Sequence, residues 1–212
     1  MILRIPKKTD SDILHSIHAR RGHPMTLEMQ NALEDSPIIA AIKDDMGLKK
    51  CLSSDSRIIF VLYGNIVNIA DIVEEIKAAG KLAVVHIDLI QGLHNREIAV
   101  DFIHKSTKAD GIISTKSNLI SRARELHMFT VMRFFVIDSM AYSNMEHQIK
   151  TVHPDVIEIL PALMPKVVKK ITEFAHVPVI AGGLVSDKDD VMSVLSAGAT
   201  CVSSSNPGVW FL

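Results

Sequence analysis

The chain has 212 residues, of which 48% are hydrophobic, and its formal net charge is −1 at pH 7. This length allows one large domain or two small ones, and the balanced charge gives no global sign of a nucleic-acid binder. The two cysteines, Cys51 and Cys201, predict neither a disulfide framework nor a zinc site. Since no secretory segment opens the chain and no apolar run is long enough to span a bilayer, we expect a cytoplasmic protein with no membrane partner.

The first 36 residues differ from the rest because they lack the strand pattern and hold a group of basic residues with several histidines. We interpret residues 1–36 as a partly helical extension and residues 37–212 as one barrel domain. A weak helix is predicted over Ser11–Arg20, and a better one begins at Thr26, with Met29, Ala32 and Leu33 on one side. The extension contains a basic cluster that is either a solvated tail or a contact for RNA phosphates: Arg4, Lys7, Lys8, Arg20 and Arg21.

From Ile38 onward, short apolar runs rich in β-branched residues alternate with helical stretches. Such runs, apolar on both faces, are typical of parallel strands that helices cover on the outside. The eight predicted strands are Ile38–Ile42, Arg57–Tyr63, Leu82–Leu89, Gly111–Thr115, Phe129–Ile137, Val156–Leu160, Val177–Ala181 and Cys201–Ser205.

The stretches between the predicted strands have helical signals. Apolar residues recur at spacings of three and four over residues 66–76, and Pro165 stands where a first-turn proline fits. Ser186 and Asp189 form a capping-box-like pair before the last predicted helix.

Eight strand–helix units in sequence favour a (β/α)8 TIM-type barrel over an open doubly wound sheet. Residues 207–212 are too few for a full eighth helix, so we expect that helix to be short or missing. The groove between the last and first strands then needs another cover. Either the helix that begins at Thr26 packs there, or a second subunit does, which makes a homodimer.

Small residues follow the seventh and eighth predicted strands. Gly182 and Gly183 interrupt the chain after the seventh strand, and Ser204, Ser205 and Asn206 end the eighth. Free backbone N–H donors in such loops, together with the N-terminus of the following helix, are typical of phosphate sites, which recur at this position in barrels. The alternatives are that the glycines serve packing and that the serines cap a terminal turn.

Polar residues also follow strands three to six. On the third strand His86 and Asp88 alternate and are expected to share one face. The further candidates are Ser114, Thr115 and Lys116 after the fourth strand, Arg133 on the fifth and Glu158 on the sixth. Asp88 and Glu158 are expected to accept from ligand hydroxyls, balanced by Arg133 or Lys116. The alternative is that Asp88–Lys116 and Glu158–Arg133 are structural ion pairs, and His86 alone is interpreted as a hydrogen-bonded core histidine.

Five motifs in order, "HIDLIQG", "DGIISTKSN", "IEILP", "PVIAGGL" and "SSSNPGVW", resemble those of the glycerol-3-phosphate-responsive antiterminator family, which regulates glycerol uptake operons. The resemblance extends from Ile38 to Trp210. It implies a barrel that binds glycerol 3-phosphate as effector, uses no cofactor, and acts in transcription antitermination through a leader mRNA rather than in catalysis.

The residues that match the family motifs include most of the candidates from the strand ends: Asp88, Ser114, Thr115, Arg133, Glu158, Gly182, Gly183, Ser204, Ser205 and Asn206. Two positions depart from the family pattern. Ala162 replaces the glycine of a Leu-Pro-Gly loop, and Lys116 replaces an arginine, which keeps the charge but loses the bidentate fork.

Three functions are compatible with these residues. The first is a non-enzymatic sensor of glycerol 3-phosphate that binds leader RNA. The second is a barrel enzyme acting on a triose-phosphate-like compound, with Asp88 or Glu158 as acid or base. The third is a relative that binds the ligand but has lost RNA contact. The sequence favours the first mainly through the family resemblance, and it shows no aromatic motif for base stacking.

Overall fold

The computed structural model of the protein describes residues 25–212, which form a closed barrel of eight parallel strands. Each strand is hydrogen-bonded to the next, and the eighth pairs with the first. The strands are β1 Ile38–Ile42, β2 Ile58–Val61, β3 Leu82–His86, β4 Gly111–Ser114, β5 Phe129–Phe135, β6 Val156–Leu160, β7 Val179–Gly182 and β8 Cys201–Ser204. The helices are α1 Leu27–Asp35, α2 Asp45–Cys51, α3 Ile69–Ala78, α4 Glu97–Ser106, α5 Ser117–Glu125, α6 Ser139–Val152, α7 Pro165–Ala175 and α8 Lys188–Ser196.

The predicted number and order of strands are confirmed, and most strands are shorter than the apolar runs that indicated them. The apolar run that predicted the third strand extends to Leu89. The strand itself ends at His86, and Ile87–Leu89 form a short 3-10 helix in which Ile87 is still buried. Apolarity persists there because the turn still packs against the core. His86 and Asp88 therefore do not share a strand face.

The barrel interior is filled by alternate residues of the strands. Ile39, Phe60 and Val84 belong to one buried interior cluster, whereas their neighbours Ala40, Ile59 and Val85 belong to a second cluster packed against the helices. This alternation follows from the two-residue period of a strand. It determines which polar side chains at the strand ends reach the inside.

Helix α1 closes the N-terminal end of the barrel. Thr26 caps it by accepting from the Met29 N–H at 3.3 Å, and Met29, Ala32 and Leu33 are buried in the interior cluster. The thiol of Cys201 on β8 donates to the Leu33 carbonyl at 3.3 Å, and burial raises the pKa of that thiol to about 12. The helix that begins at Thr26 is confirmed, but its expected place over the groove between β8 and β1 is wrong.

No helix follows β8 in the described part of the chain, as predicted. Val209 and Trp210 lie in a turn and are buried, and the Trp210 Nε1–H donates to the Ser204 carbonyl at 2.7 Å. These two side chains supply the apolar cover that an eighth helix provides in a larger barrel. A homodimer remains a prediction, and the helix predicted over Ser11–Arg20 and the basic cluster lie outside the described residues.

The start of α7 agrees with a local signal in the sequence. Pro165 is the first residue of α7, as predicted.

None of the helices within residues 25–212 is long and apolar enough to cross a membrane.

We expect Leu33→Ala to lower the free energy of unfolding by about 2–5 kcal/mol, because it removes a buried side chain from the interior cluster. Leu27 lies on the same helix but is 72% exposed, so Leu27→Ala is the matched control and is expected to change stability by less than about 0.5 kcal/mol. Urea unfolding of both variants measures the difference. Equal, small effects would mean that α1 does not close the barrel.

Candidate functional site

A pocket of about 440 Å³ opens at the C-terminal ends of the strands, on the side of β5 to β8. In a (β/α)8 barrel this is the end where functional groups gather. Its lining consists of polar groups from β5, β6, β8 and the loops after β7 and β8, with apolar residues between them: Ala41, Leu62, Arg133, Glu158, Leu160, Gly183, Leu184, Val185, Ser186, Ser203, Ser204, Ser205 and Asn206.

The loop after β7 brings backbone close to the pocket. Gly183 has φ +80° and Leu184 has φ +65°, so the chain passes through two left-handed residues in succession. A Cβ on the preceding Gly182 would lie 2.3 Å from Ser203 Oγ and 2.8 Å from Glu158 Oε1, so only glycine fits there. Within residues 25–212, the backbone N–H of Leu184 has no protein acceptor.

The loop after β8 forms the opposite wall of the pocket. The Ser204 hydroxyl donates to the Val185 carbonyl at 3.0 Å, and the Asn206 amide donates to the Ser186 carbonyl at 3.1 Å, so the two loops are tied together. The backbone N–H of Ser205 also finds no acceptor among the described residues. Both loops thus offer unpaired N–H donors to one pocket, which suits an anion.

The N-terminus of α8 does not contribute such donors. Asp187 caps the helix by accepting from the Asp190 N–H at 2.9 Å, and Asp190 accepts from the N–H and hydroxyl of Ser186, both at 2.8 Å. The predicted pair of Ser186 with Asp189 is therefore wrong, because the reciprocal partner is Asp190. Carboxylates already occupy this helix end, so an anion in the pocket relies on the loops rather than on the helix terminus.

A buried ion pair forms the floor of the pocket. Arg133 Nε donates to Glu158 Oε2 at 2.5 Å, and the Ser203 hydroxyl donates to Glu158 Oε1 at 2.6 Å. Glu158 is 1% exposed, so these partners stabilise its charge in the interior. A guanidinium has five N–H donors, and within the described chain only Nε of Arg133 has an acceptor. Its remaining donors are free for a ligand anion.

The candidates after β3 and β4 form a separate cluster. Asp88 accepts from the Ser114 hydroxyl at 2.8 Å, from the Thr115 N–H at 2.8 Å and from the Thr115 hydroxyl at 3.1 Å. Both carboxylate oxygens are thereby engaged, and none of these three residues lines the pocket. Lys116 is exposed and forms no ion pair with Asp88 or any other described carboxylate.

The structure thus brings together seven of the predicted residues. Arg133, Glu158, Gly183, Ser204, Ser205 and Asn206 line the pocket, and Gly182 lies directly behind Glu158 and Ser203. Their roles toward a ligand stay predictions. Sequence reasoning missed Ser203, although the strand alternation from Cys201 was a signal that places it inward.

This fold and pocket define a (β/α)8 barrel with a polar pocket at its mouth, lined by the loops after β7 and β8. The chain matches, over residues 38–210, the family described as "Glycerol-3-phosphate responsive antiterminator". The chain belongs to this family of regulators.

Two solved structures and one curated protein show the same relationship. A glycerol uptake operon antiterminator regulatory protein of Listeria monocytogenes is 38% identical, with a TM-score of 0.79 over 82% of this chain and 94% of that chain. An antiterminator-related protein of Thermotoga maritima is 33% identical, with a TM-score of 0.73 over 82% of this chain and 98% of its own. The uncharacterized protein YgcP of Escherichia coli is 43% identical over 88% of this chain and 97% of its own length.

Barrel enzymes also superpose on the chain. One aldolase structure has a TM-score of 0.63 at 12% identity, a likeness that shows the fold alone.

Proposed function

We propose that this protein binds glycerol 3-phosphate in the pocket at the barrel mouth and, in response, binds the leader of a nascent mRNA to promote transcription past a terminator. The observation that supports the ligand is one pocket that combines a fixed guanidinium with unpaired backbone donors. Arg133 is held by Glu158, and the N–H groups of Leu184 and Ser205 belong to loops that line the same pocket. A phosphate needs several such donors at once.

The polyol end of the ligand is recognised by the floor of the pocket. Each oxygen of Glu158 accepts one protein hydrogen bond and has a lone pair left for a ligand hydroxyl. Asp88 is not needed in this role, since Ser114 and Thr115 satisfy it. Glycerol 3-phosphate matches the pocket because it carries phosphate at one end and hydroxyls at the other.

The enzyme alternative receives no support from the pocket. Of the two candidate acids or bases, Asp88 is bonded outside the pocket, and Glu158 is fixed by Arg133 and Ser203. Turnover of sugar phosphates by the purified protein would nevertheless restore this alternative.

The decisive experiment is binding of the purified full chain to the leader RNA of a glycerol uptake operon from its own genome, with and without glycerol 3-phosphate. We expect the effector to tighten RNA binding at least about fivefold, the lower range of measured allosteric coupling. Inorganic phosphate at the same concentration serves as the ligand control. Effector binding without any RNA binding would favour a relative that has lost RNA contact.

Repeating the RNA titration at several salt concentrations tests the basic cluster. The logarithm of affinity for a single strand is expected to fall with the logarithm of salt with a slope of about −0.7 per phosphate contacted. Changing Arg4, Lys7, Lys8, Arg20 and Arg21 to glutamine should flatten that slope. An unchanged slope would exclude the cluster from the RNA contact.

A further inference from the structure

His86 is a buried side chain in the barrel interior, and one of its ring nitrogens has no hydrogen-bond partner among the described residues. It is the last residue of β3, 3% exposed, and its strand neighbours at the same parity, Leu82 and Val84, belong to the interior cluster. Its Nδ1 atom is buried and makes no hydrogen bond to any described residue. A buried polar atom without a partner is costly, so such an atom in a native protein needs an explanation, and a ligand group is one of them.

The other inward polar side chains at this end of the barrel are all satisfied by one another. Arg133 on β5, Glu158 on β6 and Ser203 on β8 form one hydrogen-bonded chain, and all three line the pocket. His86 faces the same interior from β3, but it does not line the pocket and bonds to none of these three residues. Of these four inward polar side chains, three are hydrogen-bonded to one another, and Nδ1 of His86 is bonded to none of the described residues.

The imidazole of His86 is neutral at physiological pH. Burial, and then the positive charge of Arg133, lower its pKa to about 4. The effect of Arg133 also shows that the imidazole and the pocket floor lie within electrostatic reach of each other. A neutral imidazole offers one donor and one acceptor, which suits a hydroxyl, and it adds no charge that would attract phosphate.

We propose that His86 recognises a hydroxyl of the polyol end of the ligand, so that the binding site extends from the loops after β7 and β8 across the Arg133–Glu158 pair to β3. This inference rests on the proposed function, and it assigns His86 to selectivity between a phosphorylated polyol and phosphate alone. The phosphate stays with the loops, and the hydroxyl end enters the barrel.

The test combines calorimetry with NMR on the full chain. The variant His86→Leu makes this position apolar, like Leu82 and Val84. We expect it to bind glycerol 3-phosphate about tenfold more weakly, because it loses one buried hydrogen bond to the ligand. The affinity of this variant for inorganic phosphate should stay within twofold of that of the unmodified protein. His94 is exposed, so His94→Leu is the control and should leave both affinities unchanged.

In the unmodified protein labelled with ¹⁵N-histidine, the ring-nitrogen NMR signals of His86 are assigned as those that disappear in His86→Leu. We expect the chemical shifts of these signals to change on saturation with glycerol 3-phosphate and to stay unchanged with inorganic phosphate. Binding of glycerol 3-phosphate with no shift of His86, or equal losses of both ligands in His86→Leu, overturns this inference and leaves the proposed function intact. Absence of any glycerol 3-phosphate binding to the unmodified protein overturns both.

Discussion

Replacing Gly183 by alanine is expected to weaken glycerol 3-phosphate binding at least about tenfold, and replacing it by valine should abolish binding. Gly183 has φ +80°, where an L residue costs about 1–2 kcal/mol, and a Cβ there would lie 3.3 Å from the Leu160 side chain. The loop relieves this strain by moving, and its N–H donors then leave the pocket. A valine adds β-branching, which is least tolerated at positive φ.

Gly80 provides a matched control for the backbone cost. It has φ +72°, and a Cβ there would meet no atom within 4 Å. Gly80→Ala should therefore lose similar stability but bind glycerol 3-phosphate with unchanged affinity. Calorimetry and thermal unfolding of both variants separate the two effects. Undiminished binding by Gly183→Val would mean that the double glycine serves packing alone and that the phosphate lies elsewhere.

The second large effect is expected at the buried ion pair. Arg133→Met leaves the Glu158 carboxylate buried without its cation, and breaking such a pair costs about 3–5 kcal/mol. The cost is high because Glu158 is 1% exposed and keeps only the Ser203 hydroxyl as a partner. Chemical unfolding measures the loss of stability. A change below about 1 kcal/mol would show that the pair is not buried as described.

The double variant Arg133→Met/Glu158→Leu separates stability from binding. With both charges removed, no buried ion remains unpaired, and stability should return to near that of the unmodified protein. Glycerol 3-phosphate binding should stay lost, because the guanidinium that we propose meets the phosphate is gone. Recovery of binding together with stability would remove Arg133 from the ligand site and leave the ion pair a structural one.

Much of this architecture was predictable from the sequence because it depends on local pattern. Eight apolar runs separated by amphipathic stretches define a parallel barrel, and Pro165 and Thr26 mark helix starts through their own backbone chemistry. The two glycines after β7 and the small polar residues after β8 likewise indicated the two loops that line the pocket. The ordered motifs identified the family without any structure.

The tertiary structure alone decided which polar residues share a site. Asp88 and Glu158 looked equivalent in sequence, yet Asp88 follows a strand that ends at His86 and turns outward to Ser114, whereas Glu158 points inward to Arg133 and Ser203. The strand end was not visible because Ile87 is still apolar and buried. The packing of α1 was also decided only by the tertiary structure. Its apolar stripe showed that the helix must be covered, but only the closed barrel determined that the stripe packs against the interior cluster at the N-terminal end of the strands.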